Sequence, residues 1–269
     1  MHSTSQQSHS DSALQKQQMT PQHCAALLDD QLVAKALQQQ IRPVTPWHAQ
    51  GIVFEHCVVP ALHLTGDSLD YFMLPDGRLF LYLADVSGSG TAAALISILL
   101  KGIVQEFVAS HLDDATAAQL TPAALLIYLN TRLLSYGSDR HVTLICMIVD
   151  TEHAVLQWSV AGHLPSPILY TQGRARFLTG QGQPVGLFEQ AVFNNEQMPL
   201  PEAFSLSLFS DGVFDVMPEQ HLITSEAALP KLITTAKGDY AAAVECLGLA
   251  NCSNMPDDIA MLVLSRNLA

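Results

Sequence analysis

The chain has 269 residues, of which 49 % are hydrophobic and only 14 % are charged, and 12 Lys and Arg oppose 25 Asp and Glu to give a net charge of −13. This excess of acid excludes nucleic acid and anionic lipid as expected partners, because both are bound through clusters of basic residues. The apolar content is too high for a wholly disordered chain.

The N-terminal segment and the cysteines indicate a cytoplasmic location. Residues 1–21 are rich in Ser, Gln and His and lack the apolar core of a signal peptide, so we expect a flexible leader or linker. The longest apolar run, Thr91–Leu100, ends at Lys101 and is too short to predict a membrane span. Five cysteines without a C-x-x-C pair are typical of reduced thiols rather than of disulfides or a zinc site.

Apolar residues at helical spacing predict a helix over residues 22–42, and Pro43 marks its end. We expect this helix to connect the following domain to an upstream segment, although a helix that simply packs against the domain fits the pattern equally well. The helix is also a candidate for pairing two copies of the chain. Residues 43–269 contain no second linker and no internal repeat, so we expect a single domain there.

Within residues 43–269, strand patterns and helix patterns occur in groups. The Asp76-Gly77 pair between two apolar segments predicts a β-hairpin. Consecutive strands with helices in pairs favour an α+β fold of two stacked antiparallel sheets over a doubly wound parallel sheet. The predicted elements are strands Ile52–Val59, Leu69–Leu74 and Arg78–Val86, helices Thr91–Leu112 and 121–137, strands Val142–Asp150, Ala154–Ala161, Pro167–Tyr170, Ala175–Leu178 and Phe204–Phe209, helices Glu219–Thr235 and Tyr240–Ala250, and strand Ile259–Ser265.

Aspartates recur at the ends of these predicted strands. Asp85 and Asp211 directly follow apolar runs, Asp257 precedes the last strand, and Asp67 stands where the first hairpin begins. A single Asp beside Gly at a strand end is best explained as a turn. Four of them in a chain so poor in charge indicate a cluster.

The sequence offers these aspartates no basic neighbours. No Lys or Arg lies between Arg42 and Arg78, and none directly flanks Asp211 or Asp257. Gathered carboxylates repel one another, and a divalent cation relieves that repulsion. Ligands that are all oxygen select Mg²⁺, Mn²⁺ or Ca²⁺ over zinc or copper. The spacing of an EF-hand is absent, because the twelfth residue counted from Asp67 is Arg78 rather than Glu.

Six short motifs follow one another in a fixed order along residues 36–266. Each motif alone is weak, but the ordered set resembles the SpoIIE/RsbU branch of the PP2C-type serine/threonine phosphatases. The resemblance implies a four-layer α-β-β-α sandwich, two antiparallel sheets flanked by helix pairs, which the segment pattern favours independently. The motifs are Gly66-Asp67-x-x-Asp70, Ala84-Asp85-Val86-Ser87-Gly88-x-Gly90, Ala161-Gly162-His163-x-Pro165, Gly182-x-Pro184-x-Gly186, Ser210-Asp211-Gly212-Val213-x-Asp215 and Asp257-Asp258.

The resemblance also implies a catalytic centre of two Mn²⁺ or Mg²⁺ ions. A water molecule that bridges the two ions is acidified there and attacks the phosphorus atom of the substrate. Asp85 would bridge the ions, with the Val86 carbonyl as a further ligand. Asp67 would hold one ion, and Asp211 and Asp257 the other, so that Asp85, Asp67 and Asp211 carry the catalysis. The candidates for a third ion, for bound water or for contacts behind the ligands are Asp70, Asp215 and Asp258.

The match departs from the family at one position, where the usual D-V-S-G-H-G has Ser89 in place of His. If that His protonates the leaving oxygen, its absence lowers the rate of hydrolysis by about 10²–10⁴-fold. Two functions stay open, a metal-dependent phosphatase of reduced activity and a weakly active or inactive phosphatase-fold module that docks a sigma factor or adaptor. The intact aspartates favour the enzyme. For His163, a turn residue that bonds the loop backbone is favoured over a catalytic role.

Partners are implied by the same resemblance. If the chain is an enzyme, its substrate would be a phosphoprotein of the anti-sigma-factor antagonist type in a bacterial signalling switch. If the chain is a docking module, its partner would be a sigma-factor regulator. The helix at 22–42 resembles the connectors that join such domains to upstream receiver or sensor domains, as in RssB-like response regulators of two-component systems. A metal-dependent esterase or nuclease is disfavoured, because the acidic chain does not suit nucleic acid.

Overall fold

The computed structural model describes residues 20–111, 119–217, 225–251 and 255–268. In these ranges two antiparallel sheets stack face to face, with helices on their outer faces. The helices are α1 (Pro21–Gln40), α2 (Gly90–Ala109), α3 (Pro122–Ser135), α4 (Ser225–Thr235) and α5 (Tyr240–Cys246). The strands are β1 (Trp47–Ala49), β2 (Ile52–Val59), β3 (Ser68–Met73), β4 (Leu79–Val86), β5 (Val142–Asp150), β6 (Val155–Ala161), β7 (Ile168–Thr171), β8 (Arg174–Phe177), β9 (Glu196–Pro199), β10 (Phe204–Phe209) and β11 (Ile259–Arg266).

The strand order confirms the predicted α+β sandwich. One sheet has the order β1-β2-β11-β10-β7-β8 and the other has the order β3-β4-β5-β6-β9, with antiparallel neighbours throughout. One apolar cluster lies between the sheets, a second joins the β4–β5 face to α2 and α3, and a third joins the β10–β11 face to α4 and α5. Four layers result, as the resemblance implied.

Strand β4 shows how the sequence positions the site. Leu81 and Leu83 pack between the sheets, whereas Tyr82 and Ala84 pack under the helices, so both faces of the strand are buried. A strand covered on both faces is continuously apolar rather than alternating. Because side chains alternate between faces, Asp85 continues the face of Leu81 and Leu83 and lies between the sheets, at the end where the sandwich opens.

Most predicted boundaries agree with the structure to within two residues, and the differences have local causes. The last predicted helix ends at Cys246 because Gly248 adopts a φ of +68°, and a 3₁₀ turn at Leu249–Asn251 follows. Strands β1 and β9 were not predicted, since β1 has three residues and β9 is a short sheet-edge strand with half of its residues exposed. Residues 112 and 219–224, which belong to two predicted helices, lie outside the described residues.

Helix α2 is long and apolar enough, by length and composition alone, to cross a membrane. Its apolar residues instead form a packed face: Leu100, Ile103 and Val104 are almost fully buried against the sheet that contains β4. The same composition therefore also fits the core helix of a sandwich.

The helix predicted at 22–42 is present as α1, and its last turn is held against the domain. Gln38 is buried, its Nε2 donates to Thr65 O (2.9 Å) and Ser97 Oγ (3.2 Å), and its Oε1 accepts from Thr65 N (3.2 Å). Further along α1 the large apolar side chains Leu28 and Leu32 are exposed. Pairing of two copies through this helix stays a prediction, and the leader at residues 1–19 lies outside the described residues.

Candidate metal centre

An open cavity of about 480 Å³ lies at the end of the sandwich where β4 and β10 end and where β5 and β11 begin. Three of the four aspartates predicted to cluster line it together. Asp85 comes from one sheet, and Asp211 and Asp257 flank strands of the other, so the site spans both sheets. The lining residues are Asp85, Ser87, Gly88, Ser89, His141, Thr143, Asp211, Pro256 and Asp257.

The fourth aspartate, Asp67, is buried behind this cavity and linked to it through Ser210. The Ser210 hydroxyl donates to Asp67 Oδ2 (2.7 Å) and accepts from the Ala260 backbone N–H (2.7 Å). The Asp67 backbone N–H donates to Thr65 Oγ1 (3.0 Å). Ser210 directly precedes Asp211, so one hydroxyl connects the start of β3 to the strand end that bears another predicted ligand.

The aspartates raise one another's pKa. Burial raises the pKa of Asp67 well above its ordinary value, and the nearby charge of Asp85 adds to the shift. Burial, followed by the charges of Asp211 and Asp257, raises the pKa of Asp85 to about 7. The pKa of Asp211 is also raised, first by burial and then by Asp257. Such shifts arise where carboxylates meet without enough opposite charge.

The three further candidates occupy different environments. Asp70 forms an ion pair with Lys101 Nζ (2.9 Å) and accepts from the Tyr71 backbone N–H (3.0 Å). Both carboxylate oxygens of Asp258 accept backbone N–H groups from the loop before β3, Ala61 at 2.8 Å and Gly66 at 2.9 Å.

The third of these candidates, Asp215, is exposed on the 3₁₀ turn Asp211–Val216. Asp70 and Asp258 are therefore engaged by the protein itself, whereas Asp215 adds negative charge near Asp211. Their roles toward a metal ion stay predictions.

His163 holds the two sheets together behind the cavity. Its Nε2 donates to the Phe209 carbonyl (2.9 Å), which leaves Nδ1 to accept from Thr143 Oγ1 (3.1 Å). Complete burial lowers the pKa of His163 to about 4, so the ring is neutral. His163 thus bonds a backbone carbonyl, but one at the end of β10 rather than in its own loop, and Phe209 directly precedes Ser210.

A tight loop leads from Asp85 into α2. Gly88 has a φ of +82°, a backbone conformation that favours glycine, and the Arg140 guanidinium packs directly over it. Arg140 Nη1 donates to the Ser87 carbonyl (2.6 Å) and holds the loop in place. Ser89, the residue that replaces the family's His, precedes the first turn of α2, makes no side-chain capping bond and lines the cavity.

Comparison with known proteins agrees with this geometry. The sequence model of the family Stage II sporulation protein E (SpoIIE) matches residues 75–267, which include Asp85, Asp211 and Asp257. The chain belongs to the SpoIIE family. This family comprises PP2C-like phosphatase domains, so the predicted family is confirmed.

The relatives of this SpoIIE-family chain are distant and mostly longer. Protein IcfG of Synechocystis sp. is 23 % identical over 262 residues, covering 87 % of this chain and 41 % of IcfG. Phosphoserine phosphatase RsbP of Bacillus subtilis is 27 % identical over 153 residues, covering 56 % of this chain and 37 % of RsbP. The chain thus spans about two fifths of the length of these relatives.

A solved structure supports the SpoIIE-family fold. The SiaA-PP2C domain of Pseudomonas aeruginosa superimposes with a TM-score of 0.71 at 18 % identity, covering 91 % of this chain and 98 % of that domain. At this identity the likeness concerns the fold.

The SpoIIE-family site fits hard divalent cations by the chemistry of its donors. Among the described residues, no group of three or more His, Cys, Asp or Glu side chains converges closely enough to form a ready metal site. The donors that face the cavity are nevertheless carboxylate and hydroxyl oxygens, with one imidazole, and their mutual repulsion is what a cation relieves. The fit therefore rests on donor type and charge.

Three basic residues near the site, Lys101, Arg42 and Arg140, were not predicted from the sequence. Lys101 also donates to the Ile41 carbonyl, besides pairing with Asp70, and its interruption of an apolar helix was the one available signal. Arg42 is half-buried, and Asp67 and Asp258 attract its charge. The expected lack of basic neighbours is therefore wrong for Asp70 and Asp67.

Proposed function

We propose that this chain is a metal-dependent protein phosphatase domain that hydrolyses phosphoserine or phosphothreonine in a bacterial signalling switch. The observation that carries the proposal is the set of aspartates Asp85, Asp211 and Asp257 around one open cavity, with Asp67 behind it. Membership of the SpoIIE family supports the reaction class.

Two Mn²⁺ or Mg²⁺ ions would be held by Asp67, Asp85, Asp211 and Asp257, with the Val86 carbonyl as a further ligand. Bound ions of this kind acidify a water into a nucleophile and neutralise the charge on phosphoryl oxygens. Their four positive charges equal the four negative charges of the aspartates. The loaded cavity would then no longer repel a phosphate dianion, as the acidic cavity alone would.

The protein's own contribution is placement. The ladder of β4 with β5 holds Asp85, the Ser210 hydroxyl orients Asp67, and His163 fixes the strand end before Asp211. Because these partners come from buried, hydrogen-bonded elements, the carboxylates need little rearrangement when substrate binds. Among the described residues that line the cavity there is no cysteine, so the chemistry calls for water rather than a thiolate as nucleophile.

The substrate we propose is a phosphoprotein of the anti-sigma-factor antagonist type. RsbP, which is named a phosphoserine phosphatase, supports the phosphoserine part of this proposal. The openness of the cavity at the end of the sandwich suits a phosphorylated side chain presented on a protein surface. The connector α1 would join the domain to a receiver or sensor domain in a longer protein.

The test is hydrolysis of a phosphoserine peptide by the purified chain with Mn²⁺. We expect metal-dependent release of phosphate, its loss by about 10²-fold or more in Asp85→Asn, and full activity in Asp76→Asn, whose carboxylate pairs with Arg78 at the other end of β4. Absence of turnover at every metal concentration would refute the enzyme. If such inactive protein still bound a sigma-factor regulator, the docking module would be the better explanation.

A further inference from the structure

The cavity contains one imidazole that the proposed function leaves unused, that of His141. Among the described residues that line the cavity, the others are aspartates, hydroxyl residues, glycine and proline. Imidazole is the side chain best suited to proton donation near neutral pH. Among the described lining residues that are not proposed as metal ligands, His141 is therefore the group with the chemistry of a general acid.

The β-ladder places His141 on the same face as Asp85. Val86 pairs with Val142, and the pairing continues one residue further: Ser87 N–H donates to His141 O (2.9 Å), and His141 N–H donates to Ser87 Oγ (3.0 Å). Asp85 lies opposite Thr143, so His141 is its diagonal neighbour. Diagonal neighbours on one face lie about 7–8 Å apart, with their Cβ atoms somewhat closer, and long side chains at such positions can both reach a group bound between them.

The His141 ring is also free to engage a substrate. Within the described parts of the chain, its imidazole has no hydrogen-bond partner, whereas both ring nitrogens of His163 are occupied. His141 is partly exposed, so the residue is accessible from the cavity. A histidine that only stabilised the fold would be expected to have its nitrogens bonded when it faces a polar site.

We propose that His141 is the catalytic residue that protonates the leaving serine or threonine oxygen. This inference rests on the proposed phosphatase function. In the step, the bond from phosphorus to the leaving oxygen breaks, its electron pair goes to that oxygen, and the His141 imidazolium supplies the proton. The attacking water forms the new bond to phosphorus and loses its proton to solvent, from which the neutral imidazole is protonated again.

Proton donation by His141 compensates for Ser89. A serine hydroxyl is far too weak an acid to give up a proton to the leaving oxygen at neutral pH. Both residues line the same cavity, on the β5 side and at the start of α2. A histidine at position 141 or at position 89 would therefore be able to donate the proton, and exchanging the histidine between the two positions tests this.

The test compares a leaving group that needs a proton with one that does not. His141→Asn should lower kcat with Mn²⁺ on a phosphoserine peptide by about 10²–10³-fold, the range of a lost general acid. With p-nitrophenyl phosphate, whose phenolate leaves without a proton, we expect a loss of less than about 3-fold. Ser89→His in the His141→Asn background should restore most of the peptide activity. His153→Asn, an exposed histidine at the opposite end of the domain, should change neither rate.

An equal loss on both substrates would show that His141 only supports the fold, and no loss on the peptide would show that it is not the donor; either result overturns the inference. Thermal unfolding and calorimetric Mn²⁺ binding confirm that the variant is folded. If it does not fold, a series of aryl phosphates on the unaltered protein decides: a rate that falls steeply with leaving-group basicity contradicts a general acid.

Failure of the proposed function is distinguishable from failure of this inference. If the unaltered chain hydrolyses neither substrate at any Mn²⁺ concentration, the phosphatase itself is refuted. If the unaltered chain is active and His141→Asn is equally active on the peptide, only the assignment of His141 is refuted.

Discussion

The ladder of β4 and β5 has aspartates at both ends, and the two ends differ in how those carboxylates are balanced. At the turn end, Asp76 pairs with Arg78 (2.7 Å), and Asp150 accepts from the backbone N–H and the ring of His153, each at 2.9 Å. At the cavity end, Asp85 faces the charges of Asp211 and other aspartates. The carboxylates at the turn end of the ladder thus have basic side-chain partners, whereas the carboxylate of Asp85 at the cavity end faces other carboxylates.

The pKa values follow this difference. Burial raises the pKa of Asp150, but hydrogen bonds from His153 outweigh it, so the pKa lies below its ordinary value. The pKa of Asp85 is raised to about 7, because burial and neighbouring carboxylates act in the same direction. An aspartate beside a turn therefore indicates a site when its neighbours come from other strands and bring no cation. When its partners lie within its own turn, it is structural.

The largest expected effect comes from removing a carboxylate at the cavity end. Asp211→Asn should weaken Mn²⁺ binding by more than the roughly 10–100-fold that the loss of a partner behind a ligand causes. It should lower peptide hydrolysis by about 10²-fold or more, because a ligand and its charge are both lost. Calorimetry with Mn²⁺ and phosphate release measure the two effects. Asp150→Asn at the turn end should change neither quantity, and equal losses in the two variants would show that the two ends of the ladder do not differ in function.

The two ends also differ in what their histidines contribute to stability. His163→Asn should lower the free energy of unfolding by about 1–3 kcal/mol, because the Phe209 carbonyl and the Thr143 hydroxyl lose a buried partner. His153→Asn, exposed at the turn end, should stay within about 0.5 kcal/mol. Urea denaturation without metal measures both.

The His163 effect has a defined pH dependence. Its folded pKa of about 4 lies below the ordinary 6.5, so its contribution is complete above about pH 6.5 and is lost as the pH falls toward 4. The decrease in the free energy of unfolding caused by His163→Asn should therefore become smaller as the pH falls from about 6.5 to 4. A cost that stays constant from pH 7 to pH 4 would contradict a buried neutral ring.

The smallest expected effect is a gain in stability at the cavity end. Asp85→Asn should raise the metal-free Tm at pH 8 by about 2–4 °C, because a carboxylate with a folded pKa near 7 destabilises the protein once it is ionised. The gain should decrease as the pH is lowered from 7 toward 4, where the folded Asp85 is already protonated. Scanning calorimetry with chelator measures it. A loss of stability at pH 8 would indicate that Asp85 is balanced by a charge at the cavity end.

Much of the fold could be predicted from sequence, because most apolar segments of the sequence are also buried segments of the structure. The bounds of β5 and β10 match the predicted strands, since both are continuous apolar runs bounded by polar residues. Edge strand β9 has a pattern of exposed and half-buried residues without apolar alternation, so nothing local distinguished it from a loop.

The candidate site was predictable as a set of residues and not as an arrangement. Asp85 and Asp211 were recognisable by their place after apolar runs, but nothing in the sequence showed that Asp70 pairs with Lys101, 31 positions away. His141 had no motif of its own and acquired a candidate role only through its pairing with Ser87. Long-range pairs of this kind depend on strand register and helix docking.

The order of residues sets which side chains this protein has for binding a cation, because the candidate aspartates lie at the ends of predicted strands. Which of these aspartates lack a compensating partner depends on the folded structure. Folding pairs Asp70 with Lys101 and gives both oxygens of Asp258 to backbone N–H groups, whereas Asp67 and Asp85 keep raised pKa values among other carboxylates. Charge balance depends on distance in space, which the stacking of two sheets sets and sequence separation does not.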